Sequence, residues 1–226
     1  MNSAIILSGG RGKRMGASVS KQFIEVKGKP ILYYTLKKFI ENDLINEIIL
    51  VLPKDEIEYC KKEILEKYEL SVDKIVEGGK ERQDSVLNGL KVLKDTDIVL
   101  IHDGARPFVS NKIIKEGIES AKKFKAAAPG VMPKDTIKIK DNDSFSKETL
   151  KREELIAVQT PQVFDYNLIL ECHKKVSEGN IQVTDDTMVV EMFKHKVFLY
   201  DGEYTNIKIT TPEDLVLAEY LADKLQ

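Results

Sequence analysis

Cysteine is nearly absent from this 226-residue sequence, and the two that occur, Cys60 and Cys172, are far apart and belong to no CxxC pattern. That spacing argues against a disulfide framework or a zinc knuckle and fits a reducing compartment. Excess charge is absent too. With 35 basic and 37 acidic residues the formal charge is −2, so composition describes neither a polyanion binder nor a disordered tail. The longest apolar runs, such as Ile98–Ile101 and Ile48–Leu52, fall far short of the ~20 residues that span a bilayer. The amino terminus lacks the layout of a signal peptide. The expectation is a soluble, cytoplasmic protein that binds neither nucleic acid nor membrane. Arginine is scarce as well, with only Arg11, Arg14, Arg82, Arg106 and Arg152. A planar, permanently charged fork suits phosphate and carboxylate, so its retention in short glycine- or acid-flanked motifs points to work that lysine does less well.

What is present is an alternation. Ala4–Leu7, Glu47–Leu52, Lys74–Glu77, Ile98–His102 and Ala128–Met132 read as strands, several apolar enough to be buried on both faces. Between them, Pro30–Glu41, Lys54–Tyr68, Arg82–Leu93 and Asn111–Phe124 have helical spacing. The prediction is an α/β fold, Rossmann-like, with a mostly parallel sheet flanked by helices and ligands at the carboxyl ends of the strands. The rhythm breaks from Lys134 to about Gln159, where Thr136–Lys140 and Thr149–Arg152 flank a turn-like Asp141-Asn142-Asp143-Ser144. This is a protruding polar β-hairpin arm. A two-stranded ribbon is marginal alone, and a second subunit is an economical support for it. Beyond it, Asn167–Val176, Asp186–Phe193 and Glu213–Leu225 read as helices, with Val197–Tyr200 and Asn206–Ile209 as strands. Length and 42% apolar content fit one domain spanning 1–226, arm at about 134–159 included.

The first strand runs into Leu7-Ser8-Gly9-Gly10-Arg11-Gly12-Lys13-Arg14-Met15-Gly16, a loop whose N–H groups and cations can wrap a triphosphate. It is not a dinucleotide fingerprint, because Met15 holds the third glycine position. Nor is it a P-loop, because Arg14 follows Gly12-Lys13. Lys21 follows within reach as a second cation. The segment Glu77–Ser85 places glycines where a ligand can approach the backbone and offers the Ser85 hydroxyl, although it also reads as an ordinary helix entry. Asp103, ending a central strand, is well placed for a divalent cation, with Arg106 orienting that loop or pairing with it. Lys208 is expected inside a short strand near the carboxyl terminus, where an anionic substrate would explain a partly buried lysine. His102, His173 and His195 read as ordinary residues, and Thr184-Asp185-Asp186-Thr187 as a helix cap.

Seven of these segments lie in register with one family. Leu7-Ser8-Gly9-Gly10-x-Gly12-x-Arg14-Met15-Gly16, Lys21-Gln22, Gly78-Gly79-x-Glu81-Arg82-x-Asp84-Ser85, His102-Asp103-x-Ala105-Arg106-Pro107, Thr160-Pro161-Gln162, Thr184-Asp185-Asp186 and Asn206-Ile207-Lys208 resemble the 2-C-methyl-D-erythritol 4-phosphate cytidylyltransferases. The resemblance implies a nucleotidyltransferase-type fold, a homodimer joined through the arm, and a magnesium-dependent reaction of CTP with methylerythritol phosphate in non-mevalonate isoprenoid biosynthesis. By position it implies Arg14 and Lys21 at the α-phosphate and leaving pyrophosphate. Ser8, Gly9, Gly10, Gly79 and Ser85 would lie at the cytidine, and Asp103 by metal and nucleotide. Arg152 and Lys208 would grip the acceptor phosphate, with Thr136 and Thr160 nearby. Arg152 and Thr136 would act across the dimer. The double glycine Gly9-Gly10 is also seen in related ribitol 5-phosphate cytidylyltransferases, whereas Glu81–Ser85, Gly104–Arg106 and Thr184–Asp186 look more like the erythritol branch. A nicotinamide oxidoreductase would need a glycine at Met15 and an acid ending the second strand. A non-catalytic relative would usually have lost the cations that remain here.

Overall fold

The computed structural model describes residues 1–10 and 20–224. The chain opens with β1 (Asn2–Leu7), a short ladder of β2 (Glu25–Val26) with β3 (Lys29–Pro30), α1 (Ile31–Ile40) and β4 (Glu47–Leu52). Next come α2 (Ile57–Cys60), β5 (Lys74–Glu77), α3 (Arg82–Val92), β6 (Ile98–Asp103), α4 (Asn111–Phe124) and β7 (Ala126–Val131). After β8 (Lys138–Lys140), β9 (Ser146–Thr149), β10 (Ala157–Val158) and β11 (Gln162–Asp165), the chain ends through α5 (Tyr166–Glu178), α6 (Asp186–Met192), β12 (Phe198–Asp201) and α7 (Pro212–Lys224).

The main sheet runs in the order β10-β7-β11-β6-β1-β4-β5, with β12 along β7. Pairings β1–β4, β1–β6, β4–β5 and β7–β12 are parallel. The continuous apolar strands are explained by the two cores they feed. Ala4 and Ile6 of β1, with Leu50 and Leu100, face a cluster closed by Leu36 and Phe39 of α1 and Ile113, Ile114 and Ile118 of α4. Their neighbours Ile5, Ile49, Val99 and Ile101 face the opposite cluster, closed by α3, α5 and α6. Successive side chains leave opposite faces of a strand, so a strand buried on both sides has no polar position to give up. A third cluster buries Ala218, Leu221 and Ala222 of α7 against Ile31 and Tyr34 of α1, Phe108 and Ile209.

Several expectations are corrected. The helix expected over Lys54–Tyr68 is three joined turns: a 3-10 turn at Lys54–Glu56, then α2, then a π-helical turn at Lys61–Glu66, which together keep Cys60 and Ile64 buried. Asn206–Ile209 is not a strand. That segment is held by side chains and by two backbone bonds, Asn206 N–H to the Glu203 carbonyl at 3.0 Å and Ile209 N–H to the Ala105 carbonyl at 2.9 Å, neither part of a ladder. The hairpin pairs Lys138 with Thr149 and Lys140 with Ser146 across an irregularity, so its second strand lies earlier than expected, and Arg152 falls in a 3-10 turn at Arg152–Glu154. Both hairpin strands are wholly exposed. Strands β10 and β11 were not expected. The second inserts antiparallel between β6 and β7, and its Asp165 caps α5 by accepting from Leu168 N–H at 3.0 Å.

Helix α4 carries a test of close packing. A Cβ on Gly117 would lie 2.5 Å from Tyr200 Oη and 2.8 Å from Val163 Cγ2, and Tyr200 cannot swing away without losing its bond to the Ile113 carbonyl at 3.1 Å. Alanine normally favours a helix over glycine by about 1 kcal/mol. Here overpacking reverses the sign, and Gly117→Ala is expected to destabilise by about 1–3 kcal/mol. The check is a lower urea midpoint at an unchanged m-value.

Candidate active site

Because β1, β4, β5 and β6 are parallel neighbours, their carboxyl ends share one edge of the sheet. The chain leaves them through Ser8-Gly9-Gly10, Pro53, Gly78-Gly79 and, after Asp103, Ala105, and these segments line a cavity of about 590 Å³ together with Lys21 and Lys208. Ser8 is buried and its Oγ has no hydrogen-bond partner among the described residues. Lys21 Nζ lies 3.5 Å from the Ile209 carbonyl, beside Gly10.

The entry to α3 forms one wall. Gly79 is required by close approach, since a Cβ there would stand 2.2 Å from Asp84 Cβ. Its N–H donates to Ser85 Oγ at 3.0 Å, and the hydroxyl donates in turn to the Glu81 carbonyl at 3.1 Å. Glu81 and Asp84 complete a reciprocal capping box, which satisfies the free N–H groups of the helix start. The segment is a helix entry, and it also lines the cavity.

Asp103 is the electrostatic centre. Its carboxylate lies 2.8 Å from Lys208 Nζ, 3.7 Å from Arg106 Nε and 3.9 Å from Arg82 Nε, and the residue is 9% exposed. Burial alone would raise its pKa, but Lys208, Arg82 and Arg106 hold it well below the usual carboxylate range. Burial lowers the pKa of Arg106, which donates from Nη1 to the Asn206 carbonyl at 2.8 Å. Burial opposes the charge of Arg82 also, yet Asp186 and Asp103 more than offset it and raise its pKa. Arg82 Nη2 donates to Asp186 Oδ2 at 2.7 Å, and buried His173 donates from Nε2 to Asp186 Oδ1 at 3.1 Å.

Beneath Asp103 runs a chain of neutral donors. The Asp103 N–H donates to Thr160 Oγ1 at 3.1 Å, and the Thr160 hydroxyl lies 3.1 Å from His102 Nδ1. His102 Nε2 lies 3.0 Å from the Arg106 carbonyl. A carbonyl only accepts, so Nε2 carries the ring proton and Nδ1 accepts from Thr160. Asn206 Nδ2 donates to the Thr160 carbonyl at 2.9 Å, which ties the Lys208 segment to the same frame.

The structure thus gathers Ser8, Gly9, Gly10, Lys21, Gly79, Ser85, Asp103 and Lys208 at one cavity. Thr160 lies buried under Asp103 rather than on the cavity wall. Thr136 and Arg152 are exposed, outside the wall formed by their own chain, and Arg152 Nη1 donates to the Lys134 carbonyl at 2.8 Å. Arg14 lies outside the described residues. Lys208 departs from expectation in lying on an irregular segment, half-exposed, with a protein carboxylate as its partner. Gln22 and Arg82 also line the cavity and were not singled out as site residues. The signals were the rarity of arginine and the adjacency of Gln22 to Lys21.

A glycine-lined cleft at the carboxyl ends of parallel strands, with one lysine and two arginines converging on one carboxylate, is the arrangement of a nucleotidyltransferase-type α/β enzyme. The family model for 2-C-methyl-D-erythritol 4-phosphate cytidylyltransferase matches residues 3–224. The chain belongs to that family. A relative of that name from Clostridium beijerinckii is 65% identical over 225 residues, covering 100% of both chains. Another from Clostridium perfringens is 64% identical over 217 residues, 96% of each. Among solved structures, the 4-diphosphocytidyl-2C-methyl-D-erythritol synthase of Anaerococcus prevotii superposes with a TM-score of 0.86 at 39% identity, covering 99% of this chain and 96% of its own. The 2-C-methyl-D-erythritol 4-phosphate cytidylyltransferase of Thermus thermophilus gives 0.81 at 31%, covering 99% of this chain and 100% of its own.

The donor chain under Asp103 predicts a pH dependence. Burial pushes the His102 pKa down from 6.5 to about 4. The unfolded chain therefore binds a proton that the folded one refuses, and stability is lost as pH falls from about 6.5 towards 4. Urea titrations over that range are expected to show a shallower acid slope for His102→Gln than for the wild type. Equal slopes would refute a neutral buried His102.

Proposed function

We propose how this cavity carries out the reaction that family membership assigns, transfer of the cytidylyl group of CTP to 2-C-methyl-D-erythritol 4-phosphate with release of pyrophosphate, a step of non-mevalonate isoprenoid precursor synthesis. The acceptor's phosphate oxygen forms a bond to the α-phosphorus of CTP as the bond from that phosphorus to the leaving pyrophosphate breaks. No protein nucleophile is needed. What the protein supplies is position and positive charge where negative charge grows. Lys21 and Arg14 serve the α-phosphate and the leaving group. The Ser8-Gly9-Gly10 and Gly79–Ser85 segments receive the cytidine, Gly79 and Ser85 through a wall already fixed by its own hydrogen bonds. Lys208 meets the acceptor phosphate, and Thr160 supports Asp103 from below. The observation that carries this reading is the convergence of Lys21, Lys208 and ionised Asp103 on one glycine-lined cavity.

Among the described residues no group of three or more His, Cys, Asp or Glu could hold a metal by itself. Magnesium does not require one, because its nucleotide sites commonly use one or two carboxylates together with substrate phosphates. Asp103, ionised and at the cavity, fits that role. Bound there, magnesium would neutralise phosphate charge.

The arm belongs to a homodimer in this reading. Ile137, Ile139 and Phe145 are exposed on a ribbon with no core of its own, and Thr136 and Arg152 complete the acceptor site of the neighbouring subunit. Among the described residues no helix is long and apolar enough to cross a membrane, and the protein works in the cytoplasm. A ribitol 5-phosphate enzyme is not favoured, since the relatives at 64–65% identity bear the erythritol name.

The primary test is magnesium-dependent pyrophosphate release from CTP with methylerythritol phosphate or ribitol 5-phosphate as acceptor. Turnover with the first alone is expected, and preference for the second would move the enzyme to polyol activation. Lys21→Ala is expected to lower kcat by roughly two orders of magnitude, as loss of a transition-state donor does, with the fold retained by circular dichroism. Arg152→Ala should raise KM for methylerythritol phosphate more than for CTP, and the reverse ranking would remove Arg152 from the acceptor site.

A further inference from the structure

Lys21 stands between two residues that share one acceptor. Ser20 Oγ donates to Glu56 Oε1, and Gln22 Nε2 donates to Glu56 Oε2 at 2.6 Å. Glu56 ends the 3-10 turn Lys54–Glu56 that follows β4 through Pro53. Pro53, Lys21 and Gln22 line the cavity, whereas Glu56 does not. One carboxylate outside the cavity therefore fixes both chain neighbours of a cation inside it.

The backbone on the carboxyl side of this turn is anchored by the Phe23 ring, buried in the core beside Tyr59, and by turn bonds from Phe23 N–H to the Ser20 carbonyl at 2.9 Å and from Ile24 N–H to the Lys21 carbonyl at 3.2 Å; the Glu56 carboxylate is what ties Ser20 and Gln22 to the end of β4. The Lys21–Phe23 turn is three residues long, and the Ser20 hydroxyl makes no capping bond to it. So short a turn has no stability of its own. Gln22 is 1% exposed, and since a carboxylate only accepts, its amide nitrogen must face Glu56. The other end, Oε1, is buried with no partner among the described residues. A hydrogen bond to an ionised carboxylate is among the stronger kinds, and it fixes the orientation of the Gln22 amide. The opposite side of Lys21 is bounded by Gly10 and by the Ile209 carbonyl, 3.5 Å from Nζ.

We infer that Glu56 is a positioning residue for the reaction: by clamping Ser20 and Gln22 to the end of β4, it sets where the Lys21 ammonium stands at the α-phosphate. The inference rests on the role given to Lys21 above. It touches no reacting atom and contributes through Lys21 alone.

The experiment is a double-mutant cycle of Glu56→Ala and Lys21→Ala, with kcat and both KM values measured on the folded, full-length enzyme. Glu56→Ala is expected to lower kcat on the order of tenfold to a hundredfold, as a small misplacement of a catalytic group does, with little change in KM for CTP. In the Lys21→Ala background the same substitution should cost nothing further. Glu56→Gln, which keeps the size and one neutral acceptor oxygen, should recover part of the loss and serves as the probe should Glu56→Ala fold poorly. Independent, multiplying losses, or a Glu56 variant with normal kcat beside an impaired Lys21→Ala, would overturn the inference and leave the Lys21 reading standing. A Lys21→Ala enzyme with normal kcat would overturn both.

Discussion

Asp103 carries a negative charge into a position with almost no access to water, and a charge so placed persists only when other charges and donors replace the water it lost. Three cations do so from three parts of the chain: Arg82 at the start of α3, Arg106 three residues on, and Lys208 from the segment before α7. The backbone N–H of the same residue is taken up by Thr160, and through it by His102. Remove the carboxylate and three cations would face one another across a small space. The walls of the cavity are thus held in place by the same residue that gives it an anionic centre.

The insertion of β11 is what makes this frame possible. Running antiparallel beside β6, it brings Thr160, two residues before its first residue, under Asp103 and sets Gln162 against the start of α6. Gln162 Oε1 accepts from the N–H groups of Asp186 and Thr187 at 2.9 and 3.2 Å, while its Nε2 donates to Asp185 at 2.7 Å. Asp186, oriented in this way, receives Arg82. Two of the segments that resembled the family, Thr160-Pro161-Gln162, whose Thr160 was expected near the acceptor phosphate, and Thr184-Asp185-Asp186, expected as a helix cap, form the scaffold on which Arg82 and Asp103 are aligned.

The parallel half of the sheet was legible because each strand is apolar on both faces and bounded by glycine, proline or charge; Glu47–Leu52 and Lys74–Glu77 match residue for residue. Strand β11 was not, since four residues with a glutamine and an aspartate at the ends present neither alternation nor a long apolar run. Asn206–Ile209 misled for the converse reason. Its alternation is genuine, but the Arg106 side chain takes up the Asn206 carbonyl, the N–H groups of Asn206 and Ile209 go to the isolated carbonyls of Glu203 and Ala105, and no ladder forms. At the site, glycines and cations next to strand ends were readable. Arg82, Gln22 and Glu56 were harder, because their importance lies in partners distant in sequence, as with Asp186, 104 residues beyond Arg82. The arm leaves Thr136 and Arg152 away from their own chain's cavity, which is why the acceptor-site roles proposed for them call on a second subunit.

The late arrival of Lys208 bears on synthesis. Every other cavity-lining residue precedes Lys208 by more than 100 positions, the nearest being Ala105, and the segment that carries Lys208 is fixed on one side by Asn206 and on the other by Ile209, which is buried against α7. A nascent chain still threaded through the ribosome can therefore form the glycine-lined side of the cleft while Asp103 lacks its nearest counter-ion. The half-made site holds its carboxylate less securely than the finished one, and the electrostatic balance of the cavity is completed only as the last helix docks.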